Sequence, residues 1–401
     1  MSDDVGLVSG TTALLQGQVI SDTGGDVEYW VEYGPTTAYG SETDHATLNV
    51  EQNQPRVVVR QIVGLSRSTT YHVRVCAQDS QQQGGPRCGE DLQFTTVNVD
   101  CGDTLTANLK LSADLDCTGR GMTGLIIGAH GLNINLAGHG VIGGGGAAIA
   151  NTGGYDDVTI HDGSVNSLVS GVVLDGARRN LIRNIRAGLG VPGRPGFFTS
   201  TAISVSSGEA NVIRDTTMMG ESSGLTVNGS TGLLVDGSEA AGRFASGIRL
   251  VADFARIHDT DFRSAQGAGL GVEGSSNRIV GNRGTGAASG GINILSGAGN
   301  VVAENELLQG FIPSFGDASG AFGDGIFVAS AVTGTRLRAN VANQNGGDGI
   351  EVQGPGTRLK DNTANDNTDF GIDAVAGVVD HGGNAASGNG NPLQCRNAFC
   401  Q

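Results

Sequence analysis

Lysine, aromatic residues and long apolar runs are scarce in this chain of 401 residues. Lys110 and Lys360 are the only lysines among 24 cationic residues, and aromatic residues make up 4% of the sequence. The 40 acidic residues give a formal net charge of −16, which argues against nucleic acid and anionic membrane surfaces as partners. No apolar run approaches the roughly 20 residues of a membrane-spanning helix, so we expect no membrane insertion. The opening residues Met1–Asp4 have none of the features of a signal peptide, so we expect any secretion signal to lie outside this sequence.

The six cysteines form no Cys-x-x-Cys motif and no Cys/His spacing of a zinc site, so metal binding is their poorer interpretation. They lie along the chain as near neighbours, which favours sequential pairing over the other arrangements. Because disulfides form in oxidising compartments, this pairing predicts a secreted or cell-surface protein. The predicted disulfides are Cys76–Cys88, Cys101–Cys117 and Cys395–Cys400.

Glycine is abundant, with 68 residues, and the chain repeats itself between Gly171 and Ile372. A small residue followed by an apolar one recurs about every 22 residues, which is the mark of a solenoid. Each repeat contains short strands of alternating apolar residues, with no helical periodicity and no leucine-rich-repeat frame. The sequence therefore predicts a parallel β-helix in which each repeat is one coil. The pairs predicted to face its core are Ile203/Val205, Leu225/Val227, Ile248/Leu250, Leu270/Val272, Ile292/Ile294, Ile326/Val328 and Ile350/Val352.

One corner of successive repeats carries a residue that can hydrogen-bond its neighbours. An asparagine at such a corner can bond to the coils above and below it, so we predict a buried amide ladder with a structural role. Its predicted members are Asn282, Asn305, Asn340 and Asn362, with Thr216 and Thr260 at the same place in earlier coils.

Residues 1–97 lack this repeat. Their short alternating runs, separated by turn residues, predict a β-sandwich. Alternation along one of these runs places Val31 inward and leaves Trp30, the only tryptophan, facing out. We expect this unit to be a spacer without chemistry of its own.

Two segments resemble known families. The segment Leu132-Asn133-Ile134-Asn135-Leu136-Ala137-Gly138-His139-Gly140 is similar to the first-coil motif of pectate-lyase-like parallel β-helix proteins, and this resemblance covers roughly residues 98–395. The run from Gly64 to Val75 resembles the end of a fibronectin type III domain, with Tyr71 as the tyrosine-corner residue. The two resemblances imply an all-β protein with a fibronectin type III-like β-sandwich over 1–97 and a right-handed parallel β-helix over 98–401. They do not fix an activity, because the β-helix family includes lyases, hydrolases, epimerases and non-catalytic surface proteins.

Two repeats are longer than the others, and both insert their extra residues at the same corner of the coil, at about 189–200 and 309–324. Insertions in solenoids commonly collect on the binding face. We predict that these two form walls roughly 24 Å apart on a groove for an extended polymer. The alternative is that they fold down as covers of the core. The wall residues predicted to contact the polymer are Arg194, Phe197, Phe198, Phe311 and Phe315.

Strand alternation predicts a groove floor that mixes arginine with hydroxyl and amide side chains. Arg249 is the only cation in the outward series from Ser204 to Asn293, and an arginine fork matches a carboxylate or sulfate. An acidic polysaccharide is therefore the predicted partner, and a surface ion pair is the alternative role for each arginine. The predicted floor residues are Thr226, Asn228, Arg249, Asn293 and Phe327, with Arg263 near the insertion corner.

Three functions remain open. A polysaccharide lyase acting by β-elimination would use Arg249 as charge-neutraliser or base, with Asp253, Glu273 and Asp324 as ligands of Ca²⁺, the candidate cofactor. A glycoside hydrolase would use Glu273 and Asp324 as its two carboxyl groups. A non-catalytic carbohydrate-binding or structural surface protein would need neither. We set aside the neighbours His161 and Asp162 as an acid/base pair, because adjacent residues of a strand point to opposite faces.

Overall fold

The computed structural model describes residues 2–79, 85–188, 199–286, 289–308 and 323–401. Every regular element within these ranges is a β-strand, and no helix long and apolar enough to cross a membrane occurs in them. The strands form a small N-terminal β-sandwich followed by a right-handed parallel β-helix. The predicted fold class is confirmed.

The sandwich consists of a three-stranded antiparallel sheet and a six-stranded one. Val31 and Val73 are fully buried between them. The hydroxyl group of Tyr71 accepts a hydrogen bond of 3.0 Å from the main-chain N–H of Ser66, which is the contact a tyrosine corner makes. The first sheet contains β1 (Ser2–Gly6), β2 (Thr12–Val19) and β6 (Arg56–Val63). The second contains β3 (Gly25–Gly34), β4 (Ser41–Glu42), β5 (Ala46–Val50), β7 (Thr70–Asp79), β8 (Arg87–Cys88) and β9 (Leu92–Thr95).

Trp30 is buried, so the prediction that it faces solvent is wrong. Alternation does send Val31 to the sandwich core and Trp30 to the other face of β3. There the indole ring stacks on His45, with ring centroids 4.1 Å apart and an interplanar angle of 3°. Only 4% of Trp30 remains exposed, because this second face of the strand is covered as well.

The β-helix presents two parallel sheets. Sheet I contributes one strand per coil, and each strand pairs with the equivalent strand one coil away. Its 13 strands are β10 (Asp103–Leu105), β13 (Leu125–Ile127), β16 (Ile149–Asn151), β18 (Ser170–Asp175), β20 (Thr201–Ser206), β23 (Ser223–Thr231), β26 (Ile248–Asp253), β29 (Leu270–Glu273), β32 (Ile292–Ser296), β35 (Ile326–Val328), β38 (Ile350–Val352), β40 (Ile372–Ala374) and β42 (Cys395–Arg396).

Sheet II supplies two strands to most coils, separated by a bend. Its 20 strands are β11 (Leu109–Lys110), β12 (Leu115–Asp116), β14 (Asn133–Asn135), β15 (Gly140–Ile142), β17 (Thr159–Asn166), β19 (Leu181–Ala187), β21 (Val212–Arg214), β22 (Thr217–Gly220), β24 (Leu234–Asp236), β25 (Glu239–Gly242), β27 (Arg256–His258), β28 (Asp261–Ser264), β30 (Arg278–Val280), β31 (Arg283–Thr285), β33 (Val301–Ala303), β34 (Glu306–Leu308), β36 (Arg336–Arg338), β37 (Val341–Asn343), β39 (Arg358–Lys360) and β41 (Val379–Asp380).

The core and the amide ladder are those predicted from the repeat. All seven apolar pairs point inward and are 0–1% exposed. In the ladder, the Asn282 side-chain amide donates to the Asn305 side-chain oxygen at 2.9 Å, and Asn305 does the same to Asn340 at 2.9 Å. The series continues through Asn362 to Asn384. A second ladder, which the sequence analysis missed, joins Asn345, Asn367 and Asn389.

The structure contains three disulfides, and each joins the two cysteines predicted to pair. They join Cys76 to Cys88 within the sandwich, Cys101 to Cys117 at the first coil and Cys395 to Cys400 at the last. Among the described residues no free cysteine remains. The sequential pairing is confirmed.

Candidate functional site

The outward face of sheet I is the candidate site, and its side chains follow from strand register. In each strand from β20 to β42, one outward residue stands opposite its counterpart in the next coil. The resulting outward row contains Ser204, Thr226, Arg249, Gly271, Asn293, Phe327, Glu351, Asp373 and Arg396. The row from Ser204 to Phe327 is the one that alternation predicts.

Arg249 lies in the middle of this row and is ion-paired. Its guanidinium Nη2 lies 3.3 Å from Oε1 of Glu273, which comes from the next coil. Both side chains are nearly half exposed. The surface ion pair considered for each arginine is therefore formed here, and Arg249 is not a free cation.

The other predicted floor residues differ in accessibility. Thr226 is half-buried and Asn228 is exposed, so both are available to a ligand. Asn293 and Phe327 stand in the row but are only 4% and 2% exposed. The Asn293 side chain folds back and donates from Nδ2 to the main-chain oxygen of Ser289 at 2.7 Å, while its Oδ1 has no donor among the described residues.

Arg263 belongs to sheet II rather than to the floor. It lies on β28, and its guanidinium is 2.7 Å from Glu239 on the neighbouring strand β25.

Phe244, which the sequence analysis did not select, lies at the corner between β25 and β26, the same corner at which the insertions enter. Its side chain is 49% exposed, and the Arg243 guanidinium carbon lies 4.9 Å from its ring centroid. An exposed aromatic ring beside the floor is suited to stacking on a sugar.

Both predicted walls lie almost entirely outside the described residues, which omit 189–198 and 309–322. The wall residues Arg194, Phe197, Phe198, Phe311 and Phe315 therefore remain predictions, as does the groove between the insertions. Asp324, at the end of the second insertion, is described.

Three carboxyl groups meet at the end of the second insertion. Asp324 and Asp348 each stand two residues before a strand of sheet I, and Glu351 is the outward residue of β38. One oxygen of each lies within 4.8 Å of the others. Oδ1 of Asp324 accepts the main-chain N–H of Asp348 at 2.7 Å, and Oδ1 of Asp348 accepts that of Phe370 at 2.8 Å. Oδ2 of Asp324 is buried without a donor among the described residues.

Burial changes the protonation of this carboxyl cluster (Asp324, Asp348 and Glu351). Desolvation and the neighbouring Glu351 carboxyl together raise the pKa of Asp324 to about 9, although the hydrogen bond from the main-chain N–H of Asp348 lowers it. Desolvation also raises the pKa of Asp348 to about 7. A proton on Asp324 lets this group donate to another carboxylate, which is a property of a general acid.

An ion pair borders the cluster on the next coils. The Arg396 guanidinium binds the Asp373 carboxylate, with its Nε 2.5 Å from Oδ1. The Arg396 guanidinium carbon lies 5.1 Å from the ring centroid of Phe370. Arg396 therefore neutralises Asp373, and the carboxyl cluster beside this ion pair keeps this end of the row acidic.

The residues predicted to bind Ca²⁺ do not form one ligand set. Oδ1 of Asp253 accepts the main-chain N–H of Ser275 at 2.6 Å, and Glu273 is held by Arg249. Glu273 and Asp324 lie two coils apart and at opposite ends of their strands, so they do not form the carboxyl pair considered for a hydrolase. The carboxyl cluster offers oxygen ligands to a cation instead, and a cation there would have to displace the proton that Asp324 holds.

The sequence contained a signal for this cluster. Asp324-Gly325-Ile326 and Asp348-Gly349-Ile350 are the same tripeptide at the same place in successive repeats, so coil stacking brings their carboxyl groups together. Glu351 then follows as the next outward residue.

The side chains of His161 and Asp162, which were not expected to meet, are in contact. Nδ1 of His161 lies 2.7 Å from Oδ2 of Asp162, so the prediction that they point to opposite faces is wrong. Asp162 has a φ of 60°, and this left-handed conformation breaks strand alternation. Nε2 of His161 lies 2.6 Å from Oδ1 of Asn133, and the buried imidazole has both nitrogens engaged, which indicates a structural role.

Comparisons with known proteins bear on the fold. The family described as the right handed beta helix region matches residues 141–307, less than half of the chain. A search of curated protein sequences finds no match.

Solved structures of three enzymes are similar to this chain. A periplasmic alginate epimerase, AlgG, has 15% identity and a TM-score of 0.49, covering 70% of this chain and 76% of its own. The A-module of the Azotobacter vinelandii mannuronan C-5 epimerase AlgE6 has 11% identity and a TM-score of 0.41, covering 72% and 90%. An alginate lyase from Paenibacillus sp. str. FPU-7 has 16% identity and a TM-score of 0.41, covering 68% and 92%. At this level of identity and superposition, the activities of these proteins do not transfer to this chain.

Proposed function

We propose that the protein acts outside the cytoplasm on a polysaccharide bound along the outward face of sheet I, and hydrolyses it with Asp324 and Glu351. The observation that carries the proposal is the carboxyl cluster, in which one oxygen of each of three carboxyl groups lies within 4.8 Å of the others and Asp324 and Asp348 are buried. Thirteen strands at about 4.8 Å spacing give a face roughly 60 Å long, which suits an extended polymer.

Asp324 is the proposed general acid. Its raised pKa, about 9, keeps a proton available at neutral pH for the glycosidic oxygen of the leaving group. Glu351, half-buried in the outward row, is the proposed nucleophile. One oxygen of each group lies within 4.8 Å of the other, which leaves no room for the attacking water of an inverting enzyme and favours the retaining mechanism, in which the second carboxylate attacks the anomeric carbon and water later releases the sugar.

Lyase chemistry has less support from this face. Elimination needs a cation to offset the uronate carboxylate. Glu273 already neutralises Arg249, the cation in the middle of the row. Beside the cluster, the Arg396 guanidinium is likewise bound by the Asp373 carboxylate, so the carboxyl groups of the cluster leave this end acidic, which disfavours a polyanion there.

A specific observation also favours non-catalytic binding as a second candidate. Asp324 and Asp348 each accept a main-chain N–H of the following coil, as residues of a structural ladder do. In that case the face binds a glycan through Thr226, Asn228 and Phe244 without cleaving it.

The test is product formation on a panel of neutral and acidic glycans, with wild type, Asp324→Asn and Glu351→Gln. Hydrolysis yields new reducing ends without the ultraviolet absorbance of an unsaturated uronate. We expect each substitution to lower turnover at least a hundredfold. The control is Asp215→Asn, an exposed aspartate on another face. Binding without products in wild type would establish the second candidate, and unsaturated products would establish a lyase.

A further inference from the structure

Four exposed arginines form a row on sheet II, on a face of the solenoid other than the candidate site. Arg256 stands opposite Arg278, and Arg336 stands opposite Arg358, with Val301 between the two pairs in the same register. At about 4.8 Å per coil the row extends roughly 19 Å along the axis. We call Arg256, Arg278, Arg336 and Arg358 the arginine row.

None of these four guanidinium groups has an acidic partner within 4.0 Å in the described part of the chain, although other cations on the same strands do. On β36, Arg338 lies 2.6 Å from Glu304. On β39, Lys360 lies 3.9 Å from Asp361. The arginine row is therefore left unneutralised in a protein whose formal net charge is −16.

Like charges directly opposite each other on neighbouring strands destabilise a sheet. The two adjacent pairs of the row, Arg256–Arg278 and Arg336–Arg358, carry this cost in the free protein. An anion lying across the row would remove the repulsion and gain charge-assisted hydrogen bonds from planar guanidinium forks.

A surface pocket lies within the row. Its volume is about 280 Å³, with Arg256 and Arg278 on one side and Asp236, His258 and Val280 on the other. Leu234 and Val280 add apolar surface to it, and the Asp236 carboxylate is already held by Arg214 and His258. A concave site with apolar surface and two neighbouring guanidinium groups on one side fits a sugar ring whose acidic substituent faces that side.

We propose that the arginine row binds an acidic polysaccharide that runs along the solenoid axis and places carboxylate or sulfate groups against successive guanidinium groups. The proposal does not depend on hydrolysis at sheet I. A glycan is favoured over nucleic acid because the row is one residue wide per coil. Asp236, Asp259, Glu304 and Asp361 lie beside it, and these carboxylates would repel a broad, densely charged duplex.

The experiment measures binding of polygalacturonate to the whole protein by titration calorimetry and by affinity electrophoresis. The two row variants are Arg256→Gln with Arg278→Gln, and Arg336→Gln with Arg358→Gln. The control is Arg178→Gln with Arg179→Gln, which removes the same charge from two exposed arginines that are paired with Glu209 and Asp157. Methyl-esterified polygalacturonate has the same backbone with its carboxylates masked.

We expect polygalacturonate to bind and its methyl ester not to bind, with an affinity that falls as salt rises. Each row variant should weaken binding at least tenfold, and the control should change it less than twofold. Equal affinities of row and control variants would overturn the proposal. So would competition by a short DNA duplex as effective as that of polygalacturonate, which would make the row a general polyanion site. Because the readout is binding, loss of hydrolysis at sheet I would leave the result unchanged.

Discussion

The main-chain N–H of Asp348 donates to Oδ1 of Asp324 across one coil at 2.7 Å, and the second oxygen of Asp324 is buried with no donor among the described residues. The same carboxyl group therefore links two coils and holds a proton. Its structural and chemical roles can be separated because they respond differently to pH.

Protein stability should fall as pH rises from about 4 to about 9. The pKa of Asp324 is raised to about 9 in the folded protein, whereas an unfolded aspartate has its pKa near 4. Between these values the folded state holds a proton that the unfolded state has released, so the free energy of unfolding decreases with pH. Asp348, with its pKa raised to about 7, adds to the slope only up to about that pH.

The measurement is the midpoint of thermal unfolding at about pH 5 and about pH 9 for wild type and Asp324→Asn. The amide cannot ionise, so the variant should lose most of the difference between the two midpoints. Asp215→Asn should keep it. A variant with the wild-type slope would show that Asp324 does not hold the proton.

The amide ladder should contribute strongly to stability at each rung. Asn340 is fully buried and donates to Val302 O at 2.9 Å and to Asn362 Oδ1 at 3.0 Å. Asn340→Ala leaves several buried partners unsatisfied, at about 1–3 kcal/mol each. We expect a total loss of at least about 3 kcal/mol in urea unfolding. Asn343→Ala, at a half-buried position with one side-chain contact to Asn365 N, should cost less than about 1 kcal/mol.

A disulfide that closes a longer loop should stabilise the folded protein more than one that closes a shorter loop. Cys101–Cys117 spans 16 residues and Cys395–Cys400 spans 5. Loop-closure entropy then predicts losses of about 3 and about 2 kcal/mol when both cysteines of a pair are changed to alanine. Denaturant unfolding of the two double variants tests this order. A larger loss for the C-terminal pair would mean that the last coil depends on its disulfide for more than loop closure.

The sequence predicts a residue's position well where the repeat sets it. It predicts that position poorly where a local backbone conformation sets it. A repeat of about 22 residues and period-2 alternation determine the register, which is why Ile203 and Ile350 face the core as predicted. The contact between His161 and Asp162 depends on a left-handed residue, and alternation cannot reveal that conformation. The carboxyl cluster was missed in part because Asp348 and Glu351 become neighbours of Asp324 only when the repeats are aligned.

The last prediction concerns Arg249, which the sequence analysis made the central cation of the groove. Its ion pair with Glu273 is nearly half exposed on both sides, so solvent screens it and its coupling energy should lie between about 0.2 and 1 kcal/mol. A double-mutant cycle with Arg249→Ala and Glu273→Ala, followed by thermal unfolding, measures that energy.

Because Glu273 already neutralises the guanidinium, Arg249→Ala should weaken polygalacturonate binding less than threefold, whereas Glu273→Gln should strengthen it by releasing Arg249. If Arg249→Ala weakens binding tenfold or more, as a free groove cation would, the ligand displaces Glu273 and sheet I is itself an acidic-glycan site.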